Sequence, residues 1–161
     1  MRVMGRTATQ TLKALLELAQ EPARWRSVSD LAASQALPAP YLEQLLLRLR
    51  RAGVLEARRG RQGGYRLACP PARLPLSRVL GAVGVWPGGG PAREALQLDD
   101  LPLHPGEGRM DAASERVAVL LQQRLAQAME RELERLTLED LLFDWRSARA
   151  GLSEEGGLIL G

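Results

Sequence analysis

PAPYLEQLLLRLRRAGVLEARRGRQGGYRLA, residues 38–68, holds three pieces of structure joined without a spare residue. Leu42, Leu45, Leu46, Leu49 and Ala52 recur at helical spacing, so one face of a helix is apolar and expected to be buried. Pro40 suits the first helical position and Gly53 the residue just past the end. Val54-Leu55 then begins a strand, and Tyr65-Arg66-Leu67 returns as a second one around a turn rich in glycine and arginine, residues 58–64. A helix followed at once by a basic-tipped hairpin can set two probes on one nucleic-acid surface. The expectation is a winged helix-turn-helix regulator that binds double-stranded DNA.

Upstream, Ala8, Leu12, Leu15, Leu16 and Ala19 stripe a first helix over Thr7–Ala19, and Glu21-Pro22 ends it. A polar loop runs to Arg26. Ser27 with Asp30 is an approximate capping box that opens a short second helix, with Val28, Leu31 and Ala32 facing inward, stopping near Ala36. Short helix, tight turn and longer helix make the helix-turn-helix pattern. The third helix carries Glu43 and Gln44 in its first turns, where a recognition helix meets base edges. Glutamine can bond adenine N6 and N7 together, and glutamate accepts from cytosine N4; the plain alternative is that both are solvated surface residues. Tyr41, Arg48, Arg50 and Arg51 are candidates to hold the phosphate backbone and set register. On the wing, Gly60, Gly63 and Gly64 allow close approach to a groove. Arg58, Arg59 and Arg61 extend from that turn, toward the negative potential of a narrow A·T-rich minor groove. The plain alternative is a flexible basic hairpin that is disordered without a partner, and the two are compatible: disordered when free, ordered when bound.

Downstream, Leu74-Pro75-Leu76-Ser77 starts a fourth helix to about Val83 that closes the core behind the wing. Gly84 to Arg109 is rich in glycine and proline and reads as a linker, with Trp86 and the lone His104, which has no second metal ligand nearby. Asp111–Leu136 is the longest helical segment. Its stripe of Val117, Leu120, Leu121, Leu125, Ala128, Met129, Leu133 and Leu136 should find another helix. A homodimer interface is the expectation, with packing back on its own domain as the alternative. Thr137-Leu138-Glu139-Asp140 opens a short following helix, and Ala150–Gly161 reads as a loose tail. The fold class is therefore mainly α with a small β-hairpin wing. Its parts are a winged domain over 1–84, a linker over 85–110, a dimerisation helix and short helix over 111–149, and a flexible tail over 150–161.

Charge divides the same way. Residues 1–78 hold 14 basic and 5 acidic side chains, net +9, and residues 79–161 hold 8 and 14, net −6. A basic half beside an acidic one is the footprint of a polyanion bound at one end, or charge segregation without a partner. Lys13 is the sole lysine; this suits phosphate recognition by the planar arginine fork, or reflects base composition of the gene. Aromatics are only 4%, so leucine and alanine must fill the core. One cysteine, Cys69, excludes an internal disulfide framework and a multi-cysteine metal site. It reads as an inert small thiol or as a redox thiol able to disturb the wing. No signal segment or membrane-length apolar run is found, so a cytoplasmic location without membrane attachment is expected.

In order along the chain, these residues resemble the bacterial IscR/NsrR/CymR (Rrf-type) transcription regulators: Asp30-Leu31-Ala32, Gln35, Tyr41-Leu42-Glu43-Gln44-Leu45-Leu46, Leu49-Arg50-Arg51-Ala52-Gly53, Arg59-Gly60, Gly63-Gly64-Tyr65-Arg66-Leu67-Ala68 and Pro70-Pro71. The resemblance is strong over about residues 7–84 and looser over 112–142. It implies a homodimeric winged-helix repressor joined through a long C-terminal helix. By position it implies base reading by Glu43 and Gln44 and minor-groove entry by Arg59. Pro40 departs from the small polar residue often found there. Cluster-binding members carry three cysteines in the linker region. Residues 85–110 here carry none, and Ala8 stands near where some members have a carboxylate ligand. The resemblance is thus to a cluster-free member, with no iron–sulfur cofactor expected. No small effector is indicated by any residue constellation.

Two other classes compete with this reading. A dimeric adaptor, whose DNA affinity is incidental or set by a partner protein, would use the acidic half and the linker. An enzyme has almost nothing behind it: no nucleophile with a neighbouring base, no phosphate loop before a helix and no ligand cluster.

Overall fold

A computed structural model describes residues 4–85 and 109–157. The linker expected over 85–110, with Trp86 and His104, falls outside them apart from its ends. Helix α1, Arg6–Gln20, buries Ala8, Thr11, Ala14, Leu15, Leu18 and Ala19 on one face. Helix α2 spans Val28–Gln35, and the Ser27 hydroxyl accepts the Asp30 N–H at 3.1 Å, the cap its sequence announced. The helix stops at Ala36, which sits in the left-handed region with φ 51°.

Helix α3, Ala39–Arg51, buries Leu42, Leu45, Leu46 and Leu49; Pro40 occupies its second position, with Ala39 first. Its end is a Schellman turn. The Gly53 N–H donates to the Arg50 carbonyl and the Val54 N–H to that of Leu49, both at 2.9 Å. Gly53 has φ 71°, which a side chain would strain. Strand β1, Leu55–Arg58, follows at once and pairs antiparallel with β2, Gly64–Leu67, from Leu55↔Leu67 to Arg58↔Gly64. Leu55 and Leu67, opposite each other at the hairpin base, are both buried and join the hairpin to the helical core.

A 3₁₀ turn at Pro71–Arg73 precedes helix α4, Leu76–Ala82. The expected start at Leu74 is displaced because Pro75 biases its predecessor toward extended backbone, and Leu74 has ψ 92°. Helix α5 covers Arg109–Arg135 and α6 covers Leu138–Gly157. At their corner the chain lies beside the segment before α4: the Leu76 N–H donates to Leu136 O and the Leu138 N–H to Leu74 O, each at 2.9 Å.

Two expectations are corrected. The winged domain does not close at residue 84, since Leu138 and Leu142 of α6 are buried in the same core as Leu15, Leu42 and Leu49. The last helix is not short, and the expected tail begins as its continuation, through Gly157. A glycine inside a helix costs only about 1 kcal/mol, so Gly151 does not stop a helix propagating from a docked first turn. None of the helices among the described residues is long and apolar enough to cross a membrane.

Candidate nucleic-acid interface

Glu43 and Gln44 are exposed on the first turns of α3, while Tyr41 is half-buried against the core. Arg50 and Arg51 are exposed at its far end. Arg48 leans toward α4 and reaches the Val83 carbonyl at 3.5 Å, the limit of a hydrogen bond. Arg59 and Arg61 are exposed at the wing tip and, among the described residues, make no hydrogen bond or ion pair.

Arg58, the third wing arginine, is engaged. It donates to the Gln62 carbonyl at 2.7 Å, closing the turn. Its guanidinium also lies 4.9 Å from the centre of the Trp25 ring, and that of Arg66 lies 4.4 Å from the same ring. Arg66 is in turn ion-paired with Glu56, its cross-strand partner. The loop carrying Trp25 is a third edge to the hairpin. The Arg26 N–H donates to Tyr65 O at 3.0 Å, and the Tyr65 N–H donates back at 2.8 Å. Gly64 makes this approach feasible, because a Cβ there would stand 2.2 Å from the Arg26 oxygen.

Behind the loop, Glu17 of α1 gathers polar groups. Its carboxylate accepts from Arg26 Nη2 at 2.6 Å, from Ser34 Oγ at 2.6 Å and from Gln35 Nε2. Arg26 thus joins α1 to the wing through its side chain and its backbone. On the outer side, Arg24 bonds Glu21 at 2.9 Å and holds that carboxyl below its ordinary value, first by the hydrogen bond and then by its charge. Arg78 of α4 donates to the Ala52 and Gly53 carbonyls, at 3.2 and 3.4 Å, placing a cation at the C-terminal end of α3.

Sequence reading missed Trp25, Glu17 and Arg78. A tryptophan in a chain with 4% aromatics, placed between arginines in a loop read as polar, is the one signal that pointed to the first. Cys69 follows β2, half-buried against the core. The stripe on α5 divides in two. Met129 and Leu133 pack within the chain beside Ala8 and Leu80. Val117, Leu120, Leu121 and Leu125 lie on the surface, 47–65% exposed.

The chain matches the Rrf2 family, described as an iron-dependent transcriptional regulator, over residues 4–144. It is 36% identical over 145 residues to a Synechocystis protein bearing the name HTH-type transcriptional regulator slr0846, covering 89% of this chain and 90% of that one. It is 46% identical over 57 residues to the regulator IscR of Cereibacter sphaeroides, 35% of this chain and 37% of that one. Among solved structures, CymR, the global cysteine regulator of B. subtilis, superposes with a TM-score of 0.61 at 26% identity, over 88% of this chain and 97% of that one. IscR of T. potens superposes with a TM-score of 0.56 at 27% identity, over 89% and 88%.

Proposed function

The chain belongs to the Rrf2 family of transcriptional regulators, and from that premise we propose that it acts as a homodimeric, sequence-specific DNA-binding repressor on a pseudo-palindromic operator. As a transcriptional regulator it is not an enzyme. Glu43 and Gln44 read bases in the major groove, Arg59 enters the adjacent minor groove, and Tyr41, Arg50, Arg51 and Arg61 hold phosphates. One observation carries this reading. The inward faces of α3 and the hairpin are buried in the core, while Glu43, Gln44, Arg59 and Arg61 face solvent with no hydrogen-bond or ion-pair partner among the described residues.

The exposed leucines of α5 support the dimer. A run of apolar side chains about half exposed is the mark of a surface that meets another protein, and an isologous contact there pairs like with like. Two winged domains then address half-sites about one helical turn, ~34 Å, apart. The regulator works in the cytoplasm and without a thiolate-held iron–sulfur cluster. The whole chain offers one thiol, Cys69, half-buried beside the wing. Among the described residues no three His, Cys, Asp or Glu side chains converge as metal ligands. That donor set does not fit the cluster.

The test is selection from a random duplex pool at physiological salt. A palindromic consensus is expected, A·T-enriched at the wing positions, with affinity falling steeply as salt rises. Arg59→Ala should weaken binding more on an A·T-flanked site than on a G·C-flanked one. A pool without enrichment would refute the proposal, and equal losses on the two flanks would remove the minor-groove role.

A further inference from the structure

We infer that Trp25 is a positioning residue for the wing. It holds the hairpin in its DNA-engaging orientation through the guanidinium groups of Arg58 and Arg66, a role that rests on the regulator reading above. A lone two-stranded hairpin is marginal in water, and this one has strands of four residues each. Something besides the ladder must order it.

Leu55 and Leu67 anchor its base in the core; two contacts from one loop and one pair between the strands order the rest. Arg26 pairs its backbone with Tyr65 in both directions. Arg58 and Arg66 lie over the Trp25 ring. Glu56 holds Arg66 from the opposite strand. Glu56, Arg58 and Arg66 share one face of the hairpin, since cross-strand partners and residues two apart point the same way. Trp25 therefore covers that face from outside.

The consequence is a division of labour among the wing arginines. Arg58 is committed to the loop and to the turn, whereas Arg59 and Arg61 stay available. Beside the ring lies an open cleft of about 460 Å³ lined by Arg24, Trp25, Asp30, Arg58 and Arg61. A wing held this way meets DNA with its ordering entropy already spent in the free protein. Loss of two half-exposed cation–π stacks corresponds to roughly tenfold weaker binding.

The experiment compares the full-length wild type with Trp25→Ala, Trp25→Leu and Trp25→Phe. Each is titrated against the selected operator, against its G·C-flanked form and against an operator altered at the bases under α3. Amide exchange at Tyr65 is followed in the free proteins. The expected result is roughly tenfold loss on the A·T-flanked operator for Trp25→Ala and Trp25→Leu, with most of the flank preference gone. Discrimination at the α3 bases should remain, Tyr65 exchange should be faster, and phenylalanine should largely rescue. Retained flank preference in Trp25→Ala, or parallel loss of both discriminations, overturns the inference and leaves the regulator reading standing. A wild type without sequence selectivity sinks the regulator reading and this inference with it.

Discussion

Replacing Glu17 by alanine should cost the folded protein about 3 kcal/mol. Its carboxylate is 14% exposed and faces Arg26, itself 21% exposed, at 2.6 Å. Removing one partner of a buried ion pair costs about 3–5 kcal/mol, chiefly because the other charge is stranded. Water reaches a fifth of the Arg26 side chain, which lowers that contribution to about 2 kcal/mol. Gln35 loses a charged acceptor, worth about 1 kcal/mol more. Ser34 loses little, because its hydroxyl also reaches the Leu31 carbonyl at 3.1 Å. The sum lowers the melting temperature by about 10 °C in a chain of this size. Thermal unfolding followed by circular dichroism at one fixed protein concentration reads the shift, since assembly makes Tm concentration-dependent. Glu17→Gln keeps an acceptor for Ser34 and loses the charge, and should fall about midway. Arg26→Ala in both backgrounds supplies the coupling, expected at about 1–2 kcal/mol. A change below about 0.5 kcal/mol in Glu17→Ala, or no coupling to Arg26, would show that the cluster is solvated and that the reasoning from burial fails.

Gly64→Ala should destabilise by about 2 kcal/mol or more, since φ is 134° and the new methyl would stand 2.2 Å from the Arg26 oxygen; Gly60→Ala, at φ 109° with open space around it, should cost only the backbone strain, and equal Tm losses would discount the close approach. Leu121→Glu combined with Leu125→Glu should leave a folded monomer in sedimentation velocity, and a dimer that survives places the interface elsewhere. Asp140 accepts the Thr137 N–H and hydroxyl, both at 2.8 Å, and the backbone bond first and the hydroxyl second hold its carboxyl below the ordinary aspartate value. A depressed folded pKa gives stability that is full above the unfolded value, near 3.9, and is lost as pH falls through the folded one. Acid titration by far-ultraviolet dichroism should therefore show α6 loosening below about pH 4, less so in Asp140→Asn, and identical profiles would count against the cap.

What was legible in the sequence was whatever repeats locally. The leucines of α3 recur at helical spacing, the Ser27 cap lies three residues from its donor, and Gly53 stands where a Schellman turn needs it. Each is a relation within one turn of chain, so it survives without knowledge of the fold. Glu17 and Arg26 are nine residues apart, Arg78 and Ala52 twenty-six, Trp25 and Arg66 forty-one. No period links such residues, and only the packing of α1 and the loop on the hairpin brings them together. The α5 stripe shows the same limit from the other side. Its apolar spacing was correct, yet spacing alone does not reveal that Met129 and Leu133 lie beside Ala8 and Leu80 while Leu120 and Leu121 face outward.

That division matters for how a dimer would read DNA. The exposed leucines lie on the N-terminal part of α5, and the part nearest the corner packs on α4 and α1. Beyond the corner, Leu138 and Leu142 sit in the core that also contains Leu42, Leu46 and Leu49 of α3. The corner is pinned by the backbone bonds between Leu74–Leu76 and Leu136–Leu138. The candidate dimer face and the candidate recognition helix are therefore attached to one packed unit among the described residues. Close-packed interiors transmit displacement instead of absorbing it. In the proposed dimer, then, the distance between recognition helices is set by these intrachain contacts as much as by the interface. Loosening the corner, as in Leu138→Ala, should relax the tolerated spacing between half-sites while leaving contacts within a single half-site intact.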